Sequence, residues 1–427
     1  MNNNRVIIIG AGVAGLFTAY YLYKAGLDVK VIDKDSGKDN CSYGNAGMIV
    51  PSHIIPLSSP GIISKGLKWM FDPESPFYIR PRLSLELLQW GWAFKKASTD
   101  KHVEQSGPVL RDLLIASREL LIELESEEKF EFGFEKKGLF MFCNTEYGLQ
   151  HEIEAAEKAQ ALGVPAKILT AEEVKEMEPG LEMDIIGAAY YPKDAHLHPG
   201  TLLDKLRTYL IHHGVEFEFH TEIVSAQTEN KRVASIESSD GQKWSGGTFI
   251  ICAGAWSAPL ARIFGKKLLM QAGKGYSITL KNPKKRPQNC GILAEKKVTM
   301  TPMYNMLRFA GTMEIAGTDT SINSKKISGL KKSVCEYLPD FNMSDLEGQK
   351  VWTGLRPCSP DGLPYVGALS GFSNLFISTG HAMMGMSLAP SCGKMVADLI
   401  TRGESDLENS LTDPDRFGNH SRIKHQV

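Results

Sequence analysis

Apolar positions along this chain change period several times, and each change marks an element. Residues 6–9 are a run of four β-branched side chains that stops at Gly10; glycines recur at Gly12 and Gly15, and apolar positions then repeat at helical spacing. The pattern predicts a strand, a tight turn and a helix, followed by a second strand over 28–32 that ends at Asp33. Residues 108–127 repeat apolar positions at three and four and so predict an amphipathic helix. The stretch 133–143 (GFEKKGLFMFC) reads as a strand pair, 145–163 as a charged helix closed by Gly163, and 171–179 as a short helix stopped by proline. From 202 a helix runs to Gly214 and a strand follows, repeating the opening order; residues 248–258 (TFIICAGAWSA) are a third apolar strand ending in a glycine turn. Between 274 and 318, alternation in KGYSITL, KKVTMTP and MLRFAGTMEIAG predicts antiparallel strands joined by hairpins.

This order predicts an α/β protein, with a Rossmann-like nucleotide domain and an inserted substrate domain built on an antiparallel sheet plus helices. The 427 residues exceed the ~250–300 at which a single core stops growing, so two domains are expected. The expected boundaries fall near 52, 193, 260 and 349. Residues 1–52, 194–260 and 350–427 would form the nucleotide domain, and 53–193 with 261–349 the substrate domain. A polar tail after about residue 412 is expected to be mobile.

Charge narrows the classes of partner. Forty-eight basic against forty-nine acidic side chains leave a formal charge of -1, so no large field steers nucleic acid or an anionic membrane. The seven cysteines (41, 143, 252, 290, 335, 358 and 392) contain no CxxC pair and read as free thiols in a reducing compartment, without a disulfide framework or zinc site. His196 and His198 have the spacing of a metal pair, but no third ligand is evident. The amino terminus lacks the regions of a signal peptide, and no apolar run approaches the ~20 residues that span a bilayer, so a cytoplasmic protein is expected. Residues 62–97 qualify this, because Trp69, Trp90, Trp92, several phenylalanines and flanking lysines could lie on a membrane surface. Prolines at 73, 76 and 81 interrupt the segment, which favours core helices and loops over a binding pocket.

The opening motif carries chemistry. Gly10 permits the turn, Gly12 lets backbone approach a pyrophosphate, and Gly15 lets helix and strand pack closely, so that phosphates meet the helix amino-terminal dipole beside Val13 and Ala14. Asp33 stands where a ribose hydroxyl needs an acceptor. The chain leaves the nucleotide pattern after Asp33 and returns to it late, a detour that favours a flavin dinucleotide over a nicotinamide one.

Further stretches match a known family in order: CSYGNAGMIVPSHIIPLSSPG with KWMFDPESPFYIRP, DAHLHPGTLLDKL, FIICAGAWS, KGYSITL, LRFAGTMEIAG, GLRPCSPDGLPYVG and STGHAMMGMSLAP. On these, the sequence resembles the FAD-dependent D-amino acid dehydrogenase branch of the glycine and D-amino acid oxidase-like (DAO) flavoproteins over nearly its whole length. The resemblance implies an FAD-binding domain, with Ser42, Gly44, Asn45, Ala46, Gly47 and Met48 around pyrophosphate and ring. It places Lys34 beside Asp33, Ile223 against adenine, and Ala253, Gly254 and Trp256 over the nucleotide. Gly354, Gly380, His381 and the amides of Met384, Gly385 and Met386 would lie near the ring, where fixed donors stabilise the anionic reduced flavin. Some relatives attach their flavin through a cysteine seven residues before the loop aspartate. This chain has Gly354 at that distance from Asp361, so noncovalent FAD is expected despite Cys358.

The implied reaction moves the α-hydrogen of an amino acid as hydride to the flavin, leaving an imine that water hydrolyses to a 2-oxo acid and ammonia. Arg356, in GLRP, occupies the position of a bidentate carboxylate clamp, a task that suits guanidinium geometry. Arg308 matches a basic position of the dehydrogenase branch or is a surface charge on its strand. Tyr276 is either a phenolic donor to the carboxylate or a core tyrosine. His53 replaces the tyrosine common in these dehydrogenases; with its ordinary pKa near neutrality it could recognise a ring substituent or take the amine proton, or do neither. His381 is expected to contact the cofactor. The substrate class is a small amino or imino acid of D configuration, with D-proline or a hydroxy-D-proline as a narrower expectation. Electrons would pass to a quinone or other carrier, with the 62–97 segment as a contact at the inner face of the plasma membrane. Other readings are a peroxide-forming oxidase of glycine, sarcosine or D-amino acids, a flavin-binding assembly protein without turnover, which Arg356 disfavours, and a nicotinamide hydroxy acid dehydrogenase.

Overall fold

The computed structural model describes residues 5–38, 40–408 and 410–418. Its first layer is a six-stranded sheet in the order Tyr365–Ala368, Leu375–Thr379, Thr248–Ile251, Arg5–Ile9, Asp28–Ile32, Glu216–Glu218. All neighbours are parallel except the first two. Parallel strands are covered on both faces and read as continuous apolar runs, which is why residues 6–9 are all buried. Val6, Ile8, Val29 and Val31 pack under the helices Val13–Lys24, Asp100–Glu127, Pro199–His212 and Gly385–Arg402. Ile7, Ile9, Phe249 and Ile251 pack on the opposite face, against Ile223, Ile236 and Ala258. The first and last of those helices cross closely; a Cβ on Gly393 would lie 2.8 Å from the Phe17 backbone, so the crossing needs glycine there.

The second layer is a nine-stranded sheet in the order Val351–Cys358, Gln271–Lys281, Met306–Ile315, Val298–Met303, Cys290–Leu293, Leu139–Cys143, Gly187–Tyr191, Lys167–Thr170, with Phe77–Ile79 beside Met306–Ile315. Its pairings are antiparallel except at Cys290–Leu293 with Leu139–Cys143 and at Phe77–Ile79. One face carries Tyr276, Ile278 and Phe309 against Ile327, Leu330 and Val334 of the helix Ser324–Tyr337. The other face looks toward the nucleotide layer. The architecture is the expected α/β one, with a mainly parallel sheet and a separate mainly antiparallel sheet.

Four local expectations are corrected. In 133–143 only Leu139–Cys143 is a strand, and Glu135 makes a single bridge to His196. The strand after Gly214 divides, Glu216–Glu218 joining the six-stranded sheet and Ile223–Glu229 a small antiparallel one. The tail is anchored through residue 418: Arg416 donates to both Asp361 oxygens at 2.7 and 2.9 Å and stacks over the Tyr365 ring, while 419–427 lie outside the described residues. Residues 62–97 do fold as helices Ile62–Met70 and Leu85–Ala97 around the short strand, but many of their apolar side chains are exposed. Trp90 is buried, whereas Phe71 is 90% and Leu83 107% exposed, and Leu67, Leu85, Leu88 and Trp92 are also exposed. Among the described residues no helix is long and apolar enough to cross a membrane.

Candidate active site

The turn after the first strand is built for close approach. Gly10 has φ +118°, and a Cβ there would sit 2.4 Å from the Cys252 carbonyl oxygen; a Cβ on Gly15 would sit 1.8 Å from that of Gly10. Both glycines therefore serve strand and helix packing. Gly12 is different: the nearest neighbour of its Cβ would be Ser42 Oγ at 3.5 Å, and its open side faces a cleft of about 330 Å³ lined also by Gly10, Val13 and Ala14. The helix starting at Val13 has Gly12 as N-cap and no capping side chain, so its amino-terminal dipole opens onto the cleft.

Cleft walls come from segments far apart in sequence. Asp33 ends the second strand; its Oδ2 accepts Ala11 N–H at 2.5 Å and Oδ1 accepts Asp35 N–H at 2.9 Å. Burial raises its pKa despite these donors. Lys34 places its Nζ 4.0 Å from the Trp256 ring centroid, and both residues line the cleft. Ser42 Oγ accepts Val13 N–H, tying the loop to the helix start. Asn45, Ile223, Ala253 and Gly254 also face the cleft. So do Asn40, Cys41, Thr221, Glu222 and Leu260, which the sequence reading missed. Only Asn40 carried a signal, as a turn former; its side chain donates to Ala11 and Gly37 carbonyls and accepts Ser42 N–H.

At the other end, Gly385 and Met386 begin the helix Gly385–Arg402 and line the cleft, again with no capping side chain. The Met384 amide, expected to face a ring, is instead engaged by the His381 carbonyl at 2.9 Å. His381 borders the cleft, is held near pKa 4 by burial, and has a buried Nε2 with no partner among the described residues. Several expected cofactor residues act from behind the wall. Gly44 and Gly354 flank the Trp352 indole, since a Cβ on either would lie 2.0 Å from it. Gly47 and Gly380 take φ +72° and +79° at turns. Ala46 and Met48 pack into the core beneath the loop.

Arg356 lines the cleft half-buried, and desolvation lowers the pKa of its guanidinium. It lies over Gly275, where a Cβ would come within 2.3 Å of it. Nη1 donates to the Thr312 carbonyl. Thr312 has φ +71°, a conformation β-branched residues rarely adopt, and this turns its carbonyl to the arginine. Arg356 forms no ion pair with a described residue.

The other three expected catalytic residues differ. Tyr276 points to the helix-covered face; its hydroxyl donates to Glu314 Oε2 at 2.8 Å and accepts Asn323 N–H, so it is the core tyrosine. Arg308 is neither a surface charge nor a wall of the cleft. It is buried, and Nη1 donates to the Tyr43 and Asn45 carbonyls at 3.1 and 2.6 Å while Nε donates to Thr279 Oγ1, holding the 42–47 loop. His53 is held near pKa 4, mainly by desolvation and secondarily by Lys297, so it is neutral at pH 7 rather than titrating there. His198 caps the helix Pro199–His212 by accepting Thr201 N–H at 3.0 Å. Among the described residues no three His, Cys, Asp or Glu side chains are placed to hold a metal, and the seven cysteines are free.

These residues fit an extended dinucleotide carrying a polar ring. Two uncapped helix starts and an acidic strand end face one cleft, and a buried imidazole nitrogen without a partner stands at its far end. A family model described as DAO, FAD dependent oxidoreductase, matches residues 5–399. The D-amino acid dehydrogenase of Helicobacter pylori (strain ATCC 700392 / 26695) is 29% identical over 403 residues, 94% of this chain and 96% of that protein. That of Vibrio atlanticus (strain LGP32) is 31% identical over 417 residues, 95% and 98% of the two chains. The glycine oxidase of Geobacillus kaustophilus shares the fold with a TM-score of 0.76 at 23% identity, covering 97% of this chain and 99% of that one. Because both the motif order and the match run from the first strand into the closing helix, the chain belongs to the DAO family of FAD-dependent oxidoreductases.

Proposed function

We propose that the protein oxidises D-amino acids with noncovalently held FAD and passes the electrons to an acceptor other than dioxygen. The observation that carries this reading is Arg356: a half-buried, partly desolvated guanidinium with one backbone carbonyl and no carboxylate to face it. A partly desolvated cation without a counter-ion is costly, and an amino acid supplies the missing carboxylate in the bidentate geometry that arginine favours. The names of the H. pylori and V. atlanticus relatives support the D series and the dehydrogenase reaction.

Bound FAD supplies a hydride acceptor for the substrate α-carbon. The residues proposed to hold it are Gly12, Val13 and Ala14 at its phosphates, Asp33 at a ribose, and Lys34, Ile223, Ala253, Gly254 and Trp256 around the nucleotide. Ser42 and Asn45 bracket its middle; His381, Gly385 and Met386 stand at its ring. The Cys358 thiol is fully buried and pushed up to about 12, so it lacks the thiolate that covalent attachment needs. Arg356 orients the carboxylate, and neutral His53 offers a ring nitrogen to the amine or to a proline-type ring, the basis for proposing D-proline or hydroxy-D-proline. The exposed apolar face of residues 62–97, with Lys95 and Lys96 beside Trp92, is proposed as the contact with a membrane and its quinone. The nucleotide layer with residues 1–52, 194–260 and 350–427 is proposed as one domain, and the remainder as the substrate domain.

The test is anaerobic mixing of the yellow holoenzyme with D- and L-amino and imino acids. Flavin absorbance is expected to bleach with D-acids, most rapidly with proline-type ones, and to return faster on adding a quinone than on adding oxygen. Fast oxygen return with peroxide release would replace the dehydrogenase reading by an oxidase; no bleaching by any amino acid would end both.

A further inference from the structure

Behind His53 lies a carboxylate that the cleft chemistry described above leaves unused. Asp194, in the turn between Gly187–Tyr191 and Ala195–His196, is fully buried. Its Oδ1 accepts Ser52 N–H at 3.0 Å and its Oδ2 lies 2.5 Å from Ser52 Oγ, which in turn lies 3.1 Å from His53 Nδ1. Ser52 has one hydroxyl proton, so it donates in only one direction. With Asp194 ionised, Ser52 donates to it and accepts Nδ1–H, leaving His53 Nε2 bare. With Asp194 protonated, every bond in the chain reverses, and Nε2 carries the hydrogen.

The His53 side chain is half-buried. Its ring is desolvated yet keeps accessible surface. Its loop is tied at one end to Ser387, through Val50 N–H, and at the other packs Leu57 against Met313 and Cys358 next to Arg356. We propose that Asp194, Ser52 and His53 form a proton relay. The substrate ammonium N–H bond breaks as His53 Nε2–H forms, the Nδ1 proton passes to Ser52 Oγ, and the Ser52 proton passes to Asp194 Oδ2. One proton enters, one is stored on the carboxyl, and no imidazolium appears. The relay rests on the amine-oxidation reading; Asp194 and Ser52 are positioning residues that act through His53.

Burial supports this division of labour, since it holds the His53 ring near pKa 4 and lifts Asp194 to about 7. The groups facing Asp194 are Arg118 from the helix Asp100–Glu127, Tyr191 at the end of the strand that precedes its turn, and Cys290 from the strand two places away in the sheet. Burial raises both Tyr191 and Cys290, and both stay neutral across the range in question. Lys297 is the charge that acts on His53.

The test reads the tautomer directly, by ¹⁵N-histidine NMR of the substrate-free holoenzyme between pH 5 and 9, with His53→Gln assigning the signal. His53 is expected to exchange its Nε2–H form for its Nδ1–H form near pH 7 without passing through imidazolium. In Asp194→Asn, Ser52 N–H keeps the side-chain oxygen and the NH₂ donates to Ser52 Oγ, so His53 stays Nε2–H at every pH and anaerobic bleaching slows by roughly 100-fold. Ser52→Ala uncouples the ring from Asp194, and Ser52→Thr restores the coupling; this pair decides the matter should Asp194→Asn not fold. A tautomer that ignores pH in the wild type, an imidazolium, or a transition that survives Asp194→Asn or Ser52→Ala overturns the relay. Because no substrate is present in the NMR arm, this failure is distinct from a failure to bleach with D-amino acids.

Discussion

Two arginines sit on strands of one sheet that flank the same central strand, Gln271–Lys281, and their partners give them different work. Arg356 has one carbonyl and free donors; Arg308 donates from Nε and Nη1 to three loop and strand oxygens. Arg308→Met would leave the Tyr43 and Asn45 carbonyls without their charged donor, a loss of about 2 kcal/mol. We expect a lower thermal midpoint and about tenfold weaker FAD binding, with the substrate half-saturation concentration little changed; fluorescence titration with FAD and calorimetry check this. Residue types were legible in the sequence, but which face of a strand each takes was not. A register shift between Lys274 and Tyr276 is invisible to an alternating pattern, and a one-residue slip exchanges faces. Asp194 gives a second prediction. Its folded pKa near 7 stands above the ordinary 3.8, so between those values the fold binds a proton that the unfolded chain releases, and stability falls as pH rises through that window. Asp194→Asn should remove this component and be more stable than the wild type at pH 8 by a few kcal/mol at most; denaturant titrations at pH 5 and 8 measure it.

At the scale of elements, glycine punctuation made the opening strand, turn and helix readable almost residue by residue, because Gly10 and Gly15 answer backbone overlaps and Gly12 leaves the cleft open. The segment 62–97 was readable only in part. Its prolines divide it, as expected, but composition does not say which side of a nine- or thirteen-residue helix meets the core. The structure buries Trp90, whose Nε1 donates to the Cys358 carbonyl, and leaves Leu88 and Trp92 outside. Leu88→Glu with Trp92→Glu is expected to abolish co-sedimentation with anionic vesicles while leaving activity with a soluble dye within twofold. Unchanged co-sedimentation would remove the membrane contact from this face.

For the whole molecule, assembly of one parallel sheet from three distant pieces was legible because the strand pattern returns late in the chain. The anchoring of residues 413–418 was not, since Arg416 and Asp361 are 55 positions apart. Their side chains are each 10% exposed, and Arg416→Ala should cost about 3 kcal/mol of unfolding free energy by leaving Asp361 unpaired. Acid should destabilise the fold more broadly. Burial holds His53, His196, His198 and His381 near 4, below the ordinary 6.5, so the unfolded chain takes up protons first and stability is lost as pH falls from 6.5 toward 4. The raised carboxyls of Asp33, Glu152, Glu178 and Asp194 have the opposite slope and offset part of this, and thermal midpoints are expected to drop over that interval. The central claim is that the unpaired guanidinium in the FAD cleft holds the carboxylate of a D-amino acid. Anaerobic bleaching of wild type and Arg356→Ala at matched flavin content tests it most directly. The account predicts a half-saturation concentration raised about 100-fold or more with FAD still bound, whereas equal half-saturation in the two proteins would contradict it.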